Sequence, residues 1–230
     1  MCMKFIKEKK VEKKESTDLV DLKNFIDYNE KFEASNDTFQ KLMFIYKMAI
    51  KEVNTKIEIF KDEFKMFYNY DLVDHLNTRI KSPKSIIQKM TKKECELTYK
   101  DMIENINDIA GIRIVCPLQK DIYTIKNLLQ NVPGIKTLKE KDYITKPKES
   151  GYSAYHIILG VPVMLSNQII YVKVEIQIRT MAMDFWSSLE HKMKYKPQSD
   201  EPTKKQSKEW VSCAKVINKL DEKMMLLNET

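Results

Sequence analysis

The chain has 230 residues, and its 40 lysines and arginines against 33 aspartates and glutamates give a formal net charge of +7. This length accommodates one large domain, or one domain with a helical extension, and a 43% hydrophobic content suffices for a buried core. No apolar run approaches the roughly 20 residues of a membrane span, and the N-terminus lacks the apolar segment of a secretory signal. The cysteines lie far apart, which predicts neither a disulfide framework nor a zinc site. We therefore expect a cytoplasmic protein with an anionic partner such as a nucleotide or a nucleic acid.

The hydrophobic spacing predicts helices at both ends of the chain and a sheet between them. Residues 1–17 are predicted to form a mobile tail, and 18–70 a helical region with a long amphipathic helix from Asn36 to Tyr68. Residues 71–196 are predicted to form the central domain, and 197–230 a polar linker and a final helix at 208–227. Within the central domain we expect strands at 72–80, 111–116, 135–144, 153–163 and 169–180, and helices at 82–90, 98–105, 120–131 and 181–195. This order predicts an α+β fold with a mixed sheet flanked by helices.

Arginine is scarce in this chain. Only Arg79, Arg113 and Arg179 occur among the 40 lysines and arginines. The planar guanidinium can grip a phosphate with two hydrogen bonds or stack on a base, which an ammonium cannot do. The three positions are therefore candidates for nucleotide contacts, although their number alone is also compatible with chance.

The segment from Arg79 to Lys89 carries the features of an anion site. Arg79 and Lys81 lie on one side of a predicted strand end, since strand side chains repeat every second residue. The helix that follows points its N-terminus at the same space, and Ser85 and Lys89 share one of its faces. The alternative is an ordinary lysine-rich surface turn.

Two carboxylates lie in or next to predicted strands together with cations. Asp108 precedes the strand that contains Arg113, and Glu175 belongs to an alternating strand. The polar row of that strand comprises Lys173, Glu175, Gln177 and Arg179, and it faces either solvent or the floor of a site. Because Mg²⁺ is usually bound by one or two carboxylates together with substrate phosphates, Asp108 and Glu175 are the candidate metal ligands.

Tyrosines and lysines alternate between the third and fourth predicted strands, around Gly151. Aromatic rings with neighbouring cations suit a stacked base whose phosphates are held nearby. The alternative is a surface hairpin whose tyrosines cover the core. The residues concerned are Lys141, Tyr143, Lys148, Tyr152 and His156.

Together, in this order, these segments resemble the synthetase domain of the RelA/SpoT-homolog family, and in particular its single-domain members, the small alarmone synthetases. The resemblance spans about Leu72 to Tyr195 and includes the stretches Asp108–Arg113, Gly151–His156 and Glu175–Thr180. It implies a nucleotidyltransferase-like sheet of about five strands. It also implies transfer of pyrophosphate from ATP to the 3′-hydroxyl of GDP or GTP, with AMP and guanosine tetra- or pentaphosphate as products.

The resemblance further assigns roles to the residues of the ATP side. Arg79 is expected to stack on the adenine, and Asp108 and Glu175 to bind Mg²⁺. Glu175 is also the expected base or orienting group for the 3′-hydroxyl. The ATP phosphates are expected to be held by Lys81, Ser85, Lys89 and Arg113.

On the acceptor side, the resemblance implies that Tyr152 stacks on the guanine. Lys148 and His156 are expected to reach the ribose or the phosphates, and Lys141 and Tyr143 to complete the acceptor site. Gln177 and Arg179 are expected to support Glu175.

Two departures from the family pattern concern substrate binding. Ser150 stands where relatives often have asparagine, and no second arginine for the adenine follows the Asp108 strand, where only Lys120 and Asp121 occur. The chain also lacks the His-Asp pair that marks the hydrolase domain of the large relatives. Small relatives form homotetramers through terminal helices, which makes the first and last long helices candidates for that role; packing of these helices within the chain is the simple alternative.

Three other functions remain open at this point. An RNA-binding module would explain the charge and the tyrosines, but not the carboxylates, which repel a phosphate backbone unless a metal intervenes. A different nucleotidyltransferase would be expected to carry an Asp-x-Asp pair after Gly-Ser, which is absent. An inactive synthetase is the third. We expect neither a membrane nor DNA as a partner, and the choice among GMP, GDP and GTP is open.

Overall fold

The computed structural model describes Leu22, Ile26, residues 29–194 and residues 204–228. The predicted tail at 1–17 and most of the predicted linker lie outside these residues. The elements within them are α1 (Asp37–Tyr68), β1 (His75–Ile80), α2 (Pro83–Lys92), α3 (Tyr99–Asn105), β2 (Ala110–Cys116), α4 (Gln119–Gln130), β3 (Lys136–Asp142), β4 (Tyr155–Met164), β5 (Ile169–Thr180), α5 (Met181–Lys194) and α6 (Lys204–Leu227).

The strands of the described part of the chain form one five-stranded sheet in the order β1-β2-β5-β4-β3. Strand β5 runs parallel to β2, whereas the pairs β1–β2, β5–β4 and β4–β3 are antiparallel. The prediction of an α+β fold with a mixed sheet of about five strands is thereby confirmed.

The two faces of the sheet differ in polarity, as the alternation in β5 predicts. Val174, Ile176 and Ile178 are fully buried on one face. The polar residues between them are partly or fully buried on the other face, and β5 is the central strand of the sheet. The polar row is therefore the floor of a cleft and not a solvent-exposed edge.

Helix α1 packs with the sheet into one hydrophobic core. Its N-terminus is capped by the Asn36 side chain, which accepts a hydrogen bond from the Phe39 N–H, and it ends at Asn69 in the left-handed conformation. The predicted long amphipathic helix is confirmed. Its buried face consists of Phe39, Leu42, Met43, Ile45, Tyr46, Ala49, Ile50, Val53 and Ile57.

Two predicted strands are shorter in the structure. The first begins at His75, because the buried Leu72 and Val73 belong to the connection from α1. The third ends at Asp142, because its carboxylate accepts hydrogen bonds from the N–H groups of Ile144 and Thr145 and so forms a turn.

None of the described helices carries an apolar stretch long enough to span a bilayer.

The start of α4 is fixed by a buried carboxylate. Asp121 accepts a hydrogen bond from the Leu118 N–H at 3.0 Å and another from the Tyr70 hydroxyl at 2.7 Å. Asp121 lies after the Asp108 strand, where the family pattern has a second arginine for the adenine. Its contacts show that this position has a structural role here.

We expect Asp121→Ala to lower the free energy of unfolding by about 1–3 kcal/mol, because the Leu118 N–H and the Tyr70 hydroxyl lose their acceptor. Urea unfolding followed by circular dichroism measures this change. Asp62→Ala, at an exposed position of α1, is the control and should change stability by less than about 0.5 kcal/mol. Equal stability of the two variants would contradict the assigned role.

Candidate active site

Strand register brings the candidate residues into two rows across the polar face of the sheet. The central row is Arg79, Gly111, Glu175, Ile158 and Lys139, from β1 to β3. The neighbouring row is Asn77, Arg113, Gln177, His156 and Lys141. Since strands lie about 4.8 Å apart, Glu175 lies about 10 Å from the strands at either edge.

An open cavity of about 110 Å³ lies on the β1 side of Glu175. It is lined by Arg79 and Arg113, and Glu175 and Gln177 form its far end. Gly111 lies beside the Arg79 side chain, since a Cβ at this position would lie 3.4 Å from it, in van der Waals contact. Two of the three arginines thus face one cavity, as their predicted role on the ATP side requires.

A second open cavity, of about 290 Å³, lies on the β3 side of Glu175. It contains the predicted metal ligands and most of the predicted acceptor residues. Its lining consists of Lys89, Lys93, Asn105, Asn107, Asp108, Lys139, Glu140, Lys141, Tyr143, Lys148, His156, Ile158 and Glu175. Glu175 lines both cavities and therefore lies where they meet.

Asp108 is held between two ammonium groups. Its Oδ2 lies 3.1 Å from Lys81 Nζ and 2.9 Å from Lys89 Nζ. Burial alone would raise the pKa of Asp108, but the hydrogen bonds and charges of Lys89 and Lys81 outweigh it and hold the pKa below its usual range. The carboxylate is therefore ionised at neutral pH.

The donors in the second cavity fit a hard divalent cation. Asp108 Oδ1 is buried and has no hydrogen-bond partner among the described residues, and Glu175 lines the same cavity. The described residues contain no group of three His, Cys, Asp or Glu side chains that could bind a metal. Two carboxylates completed by substrate phosphates and water are the usual Mg²⁺ environment, so the residues present fit this ion.

Glu175 is oriented by its two neighbours on the polar face. Gln177 Nε2 donates to Oε2 at 3.3 Å, and His156 Nδ1 lies 3.6 Å from Oε1. Burial raises the pKa of Glu175, but the nearby His156 and the Gln177 amide lower it more, so that the net pKa lies below the usual value. Like Asp108, Glu175 is ionised at neutral pH.

The Tyr152 ring lies among several cations. Its hydroxyl accepts a hydrogen bond from Arg179 at 2.7 Å and lies 2.7 Å from His156 Nε2. Lys148 Nζ lies 4.8 Å from the centre of the Tyr152 ring and 4.7 Å from that of Tyr143. The predicted acceptor residues thus form one cluster at the end of the second cavity.

Ser85 is the predicted site residue that lies apart from both cavities. It is located in the first turn of α2, where its hydroxyl is 2.9 Å from that of the N-cap Ser82. The other predicted residues line a cavity or contact a residue that does.

Asp184 is a site residue that the sequence analysis missed. Its Oδ1 lies 3.2 Å from both Arg113 Nη1 and Arg179 Nη1. The sequence held a signal for this contact, because Asp184 lies in the first turn of the helix that follows Arg179 and so stays close to that arginine. Lys93, Asn105, Asn107, Lys139 and Glu140 were missed as lining residues, because helix ends and strand register bring them there.

Known proteins resemble this chain over most of its length. The family described as the region found in RelA / SpoT proteins matches residues 78–200. GTP pyrophosphokinase YwaC of Bacillus subtilis is 44% identical over 183 residues, which cover 80% of this chain and 87% of that protein. GTP pyrophosphokinase YjbM of the same organism is 31% identical over 81% of this chain and 86% of its own length.

Solved structures agree with these relatives. Small alarmone synthetase 2 from Bacillus subtilis superposes with a TM-score of 0.75 at 39% identity, over 84% of this chain and 99% of that chain. Small alarmone synthetase 1 from Bacillus subtilis, bound to its product pppGpp, gives a TM-score of 0.76 at 29% identity, over 84% and 98% of the two chains.

We expect Lys89→Met to raise the pKa of Asp108, because the buried carboxylate then loses the nearer of its two ammonium partners. Carbon-13 NMR titration of labelled aspartate side chains measures this pKa. Lys84→Met, at an exposed position of α2, is the matched control and should leave the pKa unchanged. An unchanged Asp108 pKa in Lys89→Met would show that the ammonium does not control this carboxylate.

Proposed function

The chain belongs to the RelA/SpoT family, and we propose that it is a GTP pyrophosphokinase of the small alarmone synthetase type. It transfers the β,γ-pyrophosphate of ATP to the 3′-hydroxyl of GDP or GTP and releases AMP. The observation that carries this proposal is the position of Glu175, a carboxylate at the meeting point of two cation-lined cavities. A group-transfer enzyme needs such a junction, because donor and acceptor must meet there. Without a His-Asp pair in the sequence, synthesis alone is proposed.

ATP binds on the β1 side. Arg79 offers its guanidinium plane to the adenine, and Arg113 faces the same cavity. The phosphates extend towards Asp108, where Lys81 and Lys89 are held by the carboxylate. Positioning and charge neutralisation are the main contributions that a protein makes to phosphoryl transfer, and this array of cations supplies both.

Asp108 and Glu175 are the residues that would bind Mg²⁺, which when bound neutralises charge on the transferred phosphates. Their lowered pKa values support this role, because metal ligands must be deprotonated. Asp108 Oδ1 has no other partner among the described residues.

The acceptor binds on the β3 side. Tyr152 stacks on the guanine, and Tyr143 lies beside it with a ring separation of 6.1 Å. Lys141, Lys148 and His156 face the same cavity and provide charge for the ribose and phosphates.

Glu175 orients the 3′-hydroxyl between the two cavities. A carboxylate whose pKa lies below its usual value is a weak base, so its main contribution is to align the hydroxyl and to accept its proton late in the transfer. Gln177 holds Glu175, and Arg179 in turn donates to Gln177 Oε1 at 3.0 Å. Both residues therefore support the position of Glu175.

We propose a cytoplasmic homotetramer that assembles through the terminal helices. The cytoplasm is where ATP and guanine nucleotides are abundant, and nothing in the chemistry calls for another compartment. Exposed apolar side chains on α1 and α6 support the assembly; they include Met66 and Phe67 on α1 and Val216, Leu220, Met224 and Leu227 on α6.

The direct test uses purified protein with labelled ATP, Mg²⁺ and each of GMP, GDP and GTP, with chromatographic separation of the products. We expect AMP and a 3′-pyrophosphorylated guanine nucleotide in equal amounts. AMP formation without a labelled guanine product would contradict the proposal. Comparison of the three acceptors also gives the acceptor preference.

Glu175→Gln is expected to lower kcat by roughly 100- to 10,000-fold, because the size is kept while the charge that orients the hydroxyl is lost. Asp108→Asn should behave alike. Circular dichroism is expected to show a folded protein in both cases. Glu63→Gln, at an exposed site on α1, is the control for a neutralised carboxylate. Near-normal turnover of either site variant at saturating Mg²⁺ would refute the assigned metal site.

Tyr152→Ala is expected to raise the KM for the guanine nucleotide by roughly 5- to 150-fold, since base–aromatic stacking is worth about 1–3 kcal/mol. The KM for ATP should change little, because Tyr152 contacts Lys148 and His156, which line the β3-side cavity and not the β1-side cavity. Tyr152→Phe keeps the ring and should retain most of the acceptor affinity. Steady-state kinetics with each substrate varied in turn measures both constants, and equal losses for the two nucleotides would indicate a general structural role.

A further inference from the structure

One face of the C-terminal helix α6 contacts the catalytic domain through residues spaced four, four and three apart. We call this set, Trp210, Ala214, Asn218 and Asp221, the inner face of α6. Residues at this spacing lie on one side of a helix. The inner face is distinct from the exposed apolar side chains of α6 that we assign to assembly.

The inner face packs tightly against the turn that carries the acceptor residues. Gly151 adopts φ +88°, and a Cβ at this position would lie 2.5 Å from Ala214 Cβ and 3.4 Å from Val211 Cα. Ala214 is itself only 3% exposed. The turn and the helix therefore touch with no space for one additional methyl group.

The same turn determines where Lys148 and Tyr152 lie. The Gly151 N–H donates to the Lys148 carbonyl at 2.8 Å, and the Lys148 N–H donates to the Tyr152 carbonyl at 3.1 Å. Because these bonds make the segment rigid, a displacement of Gly151 moves both side chains together.

Two further contacts fix α6 relative to the catalytic strand. The Thr180 hydroxyl, at the end of β5, donates to Asp221 Oδ2 at 2.6 Å in a buried position. The Trp186 indole N–H, on α5, donates to the Trp210 carbonyl at 3.1 Å. Helix α6 is thus anchored to the strand of Glu175 and at the same time supports the acceptor turn.

From this arrangement we infer that α6 positions the acceptor nucleotide, and that Ala214 is a positioning residue which sets the distance between the Lys148–Tyr152 turn and Glu175. The inference rests on the proposed function, because it takes Lys148 and Tyr152 to bind the guanine nucleotide. It gives the C-terminal helix a role in the reaction of each subunit, independent of assembly.

The first test is Ala214→Val, which adds two methyl groups against Gly151. We expect kcat/KM for the guanine nucleotide to fall about 10- to 100-fold, since misplacement by about 1 Å can cost roughly that much, while the KM for ATP stays within about twofold. Ser212→Val introduces the same side chain at an exposed position of α6 and is the control for helix propensity. Equal effects on both substrates, or none, would overturn the inference.

The second test measures the contact by a double-mutant cycle, and it remains informative if Ala214→Val does not fold. Gly151→Ala should lose acceptor kcat/KM, because the new Cβ meets Ala214 and because a side chain at φ +88° strains the backbone. Adding Ala214→Gly removes the atom that the new Cβ meets and should restore the part of the loss that this contact causes. Ala214→Gly alone removes the methyl group that packs against Gly151, and we expect it to lower the acceptor kcat/KM while the KM for ATP changes little. Additive losses, with no recovery in the double variant, would show that the contact does not position the turn.

Activity of the wild type separates this inference from the proposed function. A wild type that forms no product from ATP and a guanine nucleotide would refute both. An active wild type whose Ala214 and Gly151 variants lack the selective acceptor effect would refute the positioning role alone.

Discussion

Two carboxylates, the buried Asp108 and the partly buried Glu175, must stay charged in the middle of this molecule, and the rest of the site is arranged around that requirement. Burial opposes ionisation of both groups. Lys81 and Lys89 offset that cost at Asp108, and His156 and Gln177 offset it at Glu175. The compensating groups come from the end of β1 and from α2, β4 and β5, so the carboxylates keep their charge in these positions only while those elements are in place. The site and the fold therefore depend on each other.

Much of this arrangement could be predicted from local patterns, because they record local physics. The alternation of polar and apolar residues in β5 predicted the polar row that contains Glu175. The spacing of apolar residues in α1 predicted which face of that helix is buried. The Gly151–Ala214 contact could not be predicted, since it depends on where α6 lies after the chain has turned. Likewise, only strand register, which no local pattern in this chain determines, aligns Lys139 with Glu175 across β4.

Arg179, one of only three arginines in the chain, lies where a planar guanidinium is needed. This guanidinium donates from Nη1 to Asp184, and from Nη2 to both the Tyr152 hydroxyl and Gln177 Oε1. A lysine ammonium at this place would be a single point and could not span three acceptors that lie in different directions. Through these bonds Arg179 links three residues of the site: Tyr152, Gln177, which supports Glu175, and Asp184, which also pairs with Arg113. An RNA-binding surface has no use for such a buried link, because its cations must face a phosphate backbone in solvent. A group-transfer site needs such a link, since donor and acceptor must be held at a fixed separation while charge moves between them.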